Sequence, residues 1–302
     1  MPRWGFDQLY FTPIYKSRAS DAVVINDVIE RIKSANQPTY NYIIGFTSHG
    51  PHDQHMIEVN HYDNGLDIKP YSYALNEDSR SVATDEESVR NYLGFLTAVD
   101  NDIKELFDRL TADGLLDKTI VIIYGDHRYY PVASGNAEQD FLNYNEIPFA
   151  MYIPGADQGQ VQEIASQLDI APTLLELIAG TDYDLPPYFL GHSLFSVEHP
   201  NSALSKCLGE NEYIDNNVII KNNKLVGSFT PLVFKQEHAD LKYDSYVKLL
   251  DDLLVRSDHV LVNNEINSVA PSIGTSTMSH AATTSRSIDF NQITDSDHDG
   301  LS

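Results

Sequence analysis

Hydrophobic positions recur at three- and four-residue steps in two stretches of the chain. Over 22–34 they are Val24, Ile25, Val28, Ile29 and Ile32, with Asp27, Glu30 and Arg31 between them. This spacing predicts an amphipathic helix, bounded by Pro38. Over 88–110 the same step links Val89, Tyr92, Leu93, Leu96, Val99, Ile103, Leu106, Phe107 and Leu110, and Asp113-Gly114 closes the pattern. Three other runs are continuously apolar: 42–47, 118–125 and 147–155. Each reads as a strand buried on both faces. Strand, polar insertion over 53–87, helix and strand is the order of a crossover unit in a parallel sheet. An insertion of that length inside a compact domain predicts a functional loop or lid.

Further along, the pattern shortens. Ile170 to Ala179 predicts a helix with Asp169 as N-cap, Pro172 in the first turn and Gly180 as stop. Val218-Ile219-Ile220-Lys221, Asn222-Asn223 and Lys224-Leu225-Val226 predict a hairpin. A last amphipathic helix is expected over 243–255. Beyond it Ser, Thr, Ala and Asn dominate without period. The expected organisation is a main α/β domain over 1–205 and a small α+β subdomain over 206–262. A disordered linker over 263–293 and an acidic tail over 294–302 would follow.

Charge narrows the partners. The chain carries 44 acidic against 20 basic residues, a net charge of −24. That excludes nucleic acid as the expected partner, because binding it needs a cationic face. The single cysteine, Cys207, excludes an internal disulfide framework and a cysteine-based zinc cluster. No run approaches the roughly 20 apolar residues of a membrane span, and no cationic, apolar leader is present. Met1-Pro2-Arg3-Trp4-Gly5 does not read as a natural start, and a fragment is expected.

Candidate chemistry gathers where the apolar runs stop. Gly125-Asp126-His127 follows one of them and Thr47-Ser48-His49-Gly50-Pro51-His52 another. In open α/β sheets ligands sit outside the carboxyl ends of the strands. A carboxylate oxygen beside an imidazole nitrogen suits a divalent cation. The alternative is that Asp126 caps the next segment and His127 is a loop histidine. His49, His52 and His55 recur every three residues, which would be one face of a helix, but Gly50-Pro51 argues against a regular helix. Residues 46–50 do not match the Gly-x-Ser-x-Gly elbow of serine hydrolases. Asp295, Asp297, Asp299 and Gly300 give the first half of a calcium loop, ending at Ser302 before the later acidic ligand.

Six motifs stand in a familiar order: Trp4-Gly5-Phe6-Asp7, Thr47-Ser48-His49-Gly50-Pro51, Tyr124-Gly125-Asp126-His127, Ile147-Pro148-Phe149, Asp169-Ile170-Ala171-Pro172-Thr173-Leu174-Leu175 and Leu190-Gly191-His192-Ser193-Leu194-Phe195. Together, over about 1–260, they resemble the sulfatase-like domain of lipoteichoic acid synthases and related phosphoglycerol transferases, in the alkaline phosphatase and sulfatase superfamily. The resemblance implies a three-layer α/β sandwich with a mixed, mostly parallel sheet, N-terminally incomplete here, plus the small C-terminal hairpin and helix subdomain. It implies a threonine nucleophile bound to a divalent cation, manganese by preference, with magnesium or calcium as alternatives. The donor would be phosphatidylglycerol, and glycerophosphate would pass through a phospho-threonine intermediate to a polyol or glycan. By position, Asp126 and His127 match metal ligands and His49 a substrate-binding histidine. The nucleophile, a further acidic ligand and the membrane anchor lie before Trp4 in the family, so the parent would act at the outer face of a membrane while this chain alone is expected to be inactive. Arg128-Tyr129-Tyr130 depart from the aromatic and glycine usual after Gly-Asp-His. Two other readings stay open: a sulfate- or phosphate-ester hydrolase on the same scaffold, and a noncatalytic binding module.

Overall fold

The computed structural model describes Gln8, Tyr10 and residues 21–72, 85–132, 135–180, 189–197, 199–207, 210–228 and 247–259. The motif Trp4-Gly5-Phe6-Asp7, the linker and the acidic tail with Asp295, Asp297 and Asp299 lie outside the described residues. The chain divides into two compact units, Met1–Ala156 and Asp157–Ser302. Among the described residues no helix is long and apolar enough to cross a membrane.

In the first unit the two periodic stretches fold as expected. Helix α1 spans Asp21–Ser34 and α3 spans Glu86–Ala112, with α2, Gln54–Asn64, between them. Ile25 and Ile29 of α1 bury against Leu110 of α3. At 27 residues, α3 is about 40 Å long. It opens on Asp85, whose side chain accepts from the Glu87 amide, and on the acidic residues Glu86 and Glu87, which suit the positive end of the helix dipole. Phe95 of α3 is fully buried with Met56 and Ile57 of α2 and Ile68. The backbone at Lys69 crosses α3 so closely that a Cβ on Gly94 would lie 2.4 Å from the Lys69 carbonyl oxygen, so glycine is required there.

Strand β1, Val121–Tyr124, pairs antiparallel with β2, Phe149–Tyr152, in the register Val121 to Tyr152 and Tyr124 to Phe149. An eight-residue helix, α4 at Ala137–Tyr144, lies between them. The stretch 42–47 is not a strand. It makes no ladder with β1 and meets it through a side chain; Tyr124 donates to the Tyr42 hydroxyl at 3.3 Å, and Ile44 is 71% exposed. Its end is fixed instead by α1. Asp21 Oδ1 accepts from the amides of Phe46 (2.5 Å) and Thr47 (3.1 Å), while the Asp21 amide donates to Thr47 Oγ1 at 3.0 Å. The insertion over 53–87 is not all loop, because α2 forms inside it. Asp53 caps α2 by accepting from the Met56 amide, and Gly65 ends it at a φ of 69°.

In the second unit, α5, Ile170–Ala179, follows a single 3-10 turn at Gln167–Asp169. Asp169 stands at the N-cap of α5 as the sequence predicts, but its side chain closes a capping box with Ser166 and accepts from the amides of Ser166 (2.7 Å) and His192 (2.8 Å). Strands β3 (Ser202–Cys207), β4 (Glu210–Asp215), β5 (Val218–Lys221) and β6 (Lys224–Ser228) form an antiparallel meander in that order. Asn222 and Asn223 take positive φ values of 50° and 58°, the left-handed pair that a tight hairpin turn needs. A final helix, α6 over 247–259, adds Leu250 and Leu254 to a core with Tyr213, Val218 and Ile220. All ladders among the described residues are antiparallel; the parallel ladders expected from the strand, helix, strand order are not among them.

Candidate functional site

Asp126 and His127 stand immediately beyond β1, where the strand gives way to a loop. The Gly125 amide donates to the Pro148 carbonyl at 3.0 Å. A Cβ on Gly125 would lie 3.2 Å from Ile147 and 3.3 Å from Pro148, tighter than ordinary contact, so glycine keeps this strand end close to the β2 lead-in. The next two side chains turn outward: Asp126 is 87% exposed and His127 50%.

Their hydrogen bonds set the tautomer of the ring. His127 Nδ1 lies 2.7 Å from the Arg128 carbonyl oxygen, which only accepts, so Nδ1 carries the proton. The neutral ring then presents a lone pair at Nε2, 3.8 Å from Asp126 Oδ2, itself only an acceptor. Asp126 Oδ1 accepts from the His127 amide at 2.9 Å and is thereby oriented. The two atoms are close enough for one cation to bridge them. Ligand distances of about 2.0–2.2 Å on each side can span such a gap, and the N/O pair suits a borderline or hard divalent ion. The Nδ1–H to carbonyl bond is the kind of support that fixes a metal-binding histidine. The residues present therefore fit two ligands of a divalent cation. Among the described residues no group of three or more His, Cys, Asp or Glu side chains is placed to hold a metal ion.

A cleft of about 210 Å³ adjoins His127, lined by Tyr92, Arg128, Tyr129, Glu146 and Pro148 among others. The Tyr92 and Tyr129 rings stack at 4.0 Å and 3°. Burial raises the pKa of Tyr92, and the neighbouring Tyr129 and the Asp126 carboxylate raise it further. Tyr92 thus stays a neutral hydrogen-bonding wall of the cleft. Arg128 lies over the Tyr130 ring, 5.4 Å from its centroid.

His49 sits on the neighbouring loop. Its ring stacks on Phe46 at 4.6 Å, and its Nδ1–H donates to the Gly50 carbonyl at 2.7 Å, leaving Nε2 as the accepting nitrogen. His52 is buried and His55 is exposed in the first turn of α2, so the three histidines spaced by three are not one ligand set. Sequence reasoning left out Asp21 and Asp102, and gave His52 only as one of three regularly spaced histidines. Nothing local marks their roles, because the Phe46 and Thr47 amides held by Asp21, the Asp21 charge beside Asp102 and the rings around His52 all lie tens of residues away.

The sulfatase family's sequence profile matches residues 4–181, more than half of the chain and all of the site just described. The chain belongs to the sulfatase family. Among curated relatives, lipoteichoic acid synthase 1 of Bacillus subtilis (strain 168) is 27% identical over 219 residues, 66% of this chain and 31% of that protein. Lipoteichoic acid synthase of Staphylococcus aureus (strain USA300) is 29% identical over 269 residues, 85% of this chain and 39% of that protein. The chain thus spans about a third of the length of the curated relatives it matches. Among solved structures, the lipoteichoic acid synthase LtaP from Listeria monocytogenes superposes with a TM-score of 0.54 at 19% identity, covering 82% of this chain and 60% of that one. That likeness places this sulfatase-family chain in the α/β fold of the alkaline phosphatase and sulfatase superfamily.

Proposed function

We propose that this chain is the C-terminal part of a metal-dependent phosphoglycerol transferase, and that Asp126 and His127 are two of the ligands of its divalent cation, manganese by preference. The observation that carries the reading is the acceptor pair: an Nε2 lone pair and Asp126 Oδ2 face each other at 3.8 Å, with the tautomer fixed by Arg128. A cation there would supply Lewis acidity, lowering the pKa of an attacking hydroxyl and neutralising phosphoryl oxygens. The chain's own residues do the rest. Arg128 brings a guanidinium to the cleft, suited to a phosphodiester oxygen. Tyr92 and Tyr129 offer a flat wall for the glycerol or glycan part of a substrate. His49, protonated on Nδ1, uses Nε2 to take a hydrogen bond from a substrate hydroxyl or, once charged, to give one to an anionic oxygen.

On this reading the donor is phosphatidylglycerol: a threonine that the family places ahead of Trp4 would displace diacylglycerol from its phosphorus, the resulting glycerophospho-threonine would pass glycerophosphate to an acceptor hydroxyl and free the threonine, and the site would work at the outer face of a membrane. The relatives named lipoteichoic acid synthases support the class. Calorimetric titration of manganese into this chain tests it. Binding is expected in the wild type and at least a tenfold loss in Asp126→Ala and in His127→Ala. Equal affinity in all three would place the cation elsewhere and remove the reading.

A further inference from the structure

His52 follows His49 by three residues and is the buried one of the pair. Its ring meets three others edge-on: Tyr92 at 4.8 Å, Phe95 at 5.5 Å and Tyr129 at 5.5 Å. Its Nε2–H donates to the Ser48 carbonyl at 2.9 Å, one residue before His49. Its own carbonyl accepts from Asn91 Nδ2 of α3 at 2.9 Å. Tyr129, two residues after His127, stacks on Tyr92 of α3 and shares a 3.2 Å hydrogen bond with Ser88. Three pieces of chain therefore meet on one imidazole: the loop that carries His49, helix α3, and the loop that carries Asp126 and His127.

We propose that His52 is a positioning residue that couples these two loops, so that the substrate-side histidine and the cation-side pair are held as one unit. The proposal rests on the reading of His49, Asp126 and His127 as a single site. A plain core role would be met by leucine or phenylalanine. Histidine adds a ring N–H aimed at the Ser48 carbonyl, so one side chain makes two separable links. The ring edge reaches Tyr129, and the N–H reaches the His49 loop. Both links are direct contacts of one side chain, so a change at His52 reaches each loop without an intermediary.

The links separate by substitution. His52→Phe keeps the ring contacts and loses the N–H; His52→Ala loses both. Backbone hydrogen exchange of the full chain, followed by mass spectrometry, reads each loop in turn. With His52→Phe, exchange over 46–50 is expected to rise at least tenfold while 126–132 stays as in the wild type. With His52→Ala, both loops are expected to accelerate at least tenfold, with β1 and the C-terminal half of α3 unchanged. Wild-type protection of 126–132 in His52→Ala would overturn the coupling, as would uniform acceleration of the whole first unit, which marks general packing. Should His52→Ala fail to fold, His52→Phe decides alone: unchanged exchange over 46–50 overturns the proposal and a rise confined there supports it. Manganese titration of the same proteins keeps the two readings apart. Absence of binding in the wild type removes the metal assignment and leaves the exchange result to judge His52.

Discussion

Asp102 lies buried on α3 where that helix meets α1, and Asp21 at the start of α1 is buried too. Burial raises the Asp102 carboxyl from 3.8 to about 6; the negative charges of Asp21 and Glu105 add to the rise, and a hydrogen bond from the Ala22 backbone opposes it. Its Oδ2 has no hydrogen-bond partner among the described residues. The sign follows from proton binding. The folded state holds the proton more tightly than the unfolded chain, so stability is fullest below about pH 4, falls as pH rises towards about 6, and stays lower above. Asp102→Asn keeps the acceptor for Ala22 and removes the charge. It is expected to stabilise the chain at pH 7 by about 1 kcal/mol, less than the full linkage value because solvent screens part of the repulsion. The gain should vanish near pH 4. Thermal melts of both proteins at the two pH values check this, and a pH-independent difference would point to packing instead. Asp21 carries a second duty, since it pins the Phe46 and Thr47 amides that lead into His49. Relief of its repulsion with Asp102 therefore acts on the support of the site loop.

At the level of elements, Gly191 shows how a short motif is enforced by close approach. A Cβ there would lie 2.0 Å from the Leu168 carbonyl oxygen and 2.8 Å from the Asp169 amide nitrogen, both backbone atoms that cannot swing aside. The approach lets Asp169 accept from the His192 amide and Thr173 Oγ1 accept from the Leu194 amide, so Gly191 to Leu194 is stitched to the start of α5. Gly191→Ala is expected to cost about 3 kcal/mol or more, measured by denaturant unfolding. A loss under about 0.5 kcal/mol would mean that this segment is free to shift. Elements were legible in the sequence where the pattern was long. The helical step over 88–110 marked α3 because one face repeatedly buries, and Asn222-Asn223 marked its hairpin because the turn demands left-handed residues. The run over 42–47 was misread because a continuous apolar stretch reports burial tendency, whereas a strand also needs a neighbour in register. Helix α2 was missed since its apolar residues, Met56, Ile57 and Val59, are few; its readable signals were the caps, Asp53 and Gly65. The place of Asp126 and His127 just beyond a strand was legible because a glycine stops the apolar run before them. His52 was not, since its meaning lies in Tyr92, Phe95 and Tyr129, which only the fold brings to it.

For the whole molecule, the net charge of −24 acts on both halves of the proposed chemistry, with opposite signs. A divalent cation approaching Asp126 is drawn by the surrounding negative field, while an anionic phosphodiester approaching the cleft is repelled. Salt screens both, with a Debye length of about 30 Å at 0.01 M and about 8 Å at 0.15 M. Manganese affinity is therefore expected to fall several-fold between these ionic strengths. Affinity for an anionic ester, titrated in the presence of saturating manganese, is expected to hold or rise over the same range. The cation arm has an internal control, because residual binding in Asp126→Ala reports diffuse association with the acidic surface and should fall with salt at least as steeply. The anion arm carries the decision. An ester affinity that drops with added salt would mean that Arg128 and the cation dominate the local field despite the charge of the chain. Arg128→Ala should then weaken ester binding and flatten that dependence. An affinity that rises with salt would mean that the acidic surface sets the approach, and that any guidance of substrate to the cleft comes from shape and the tyrosine wall rather than from long-range attraction.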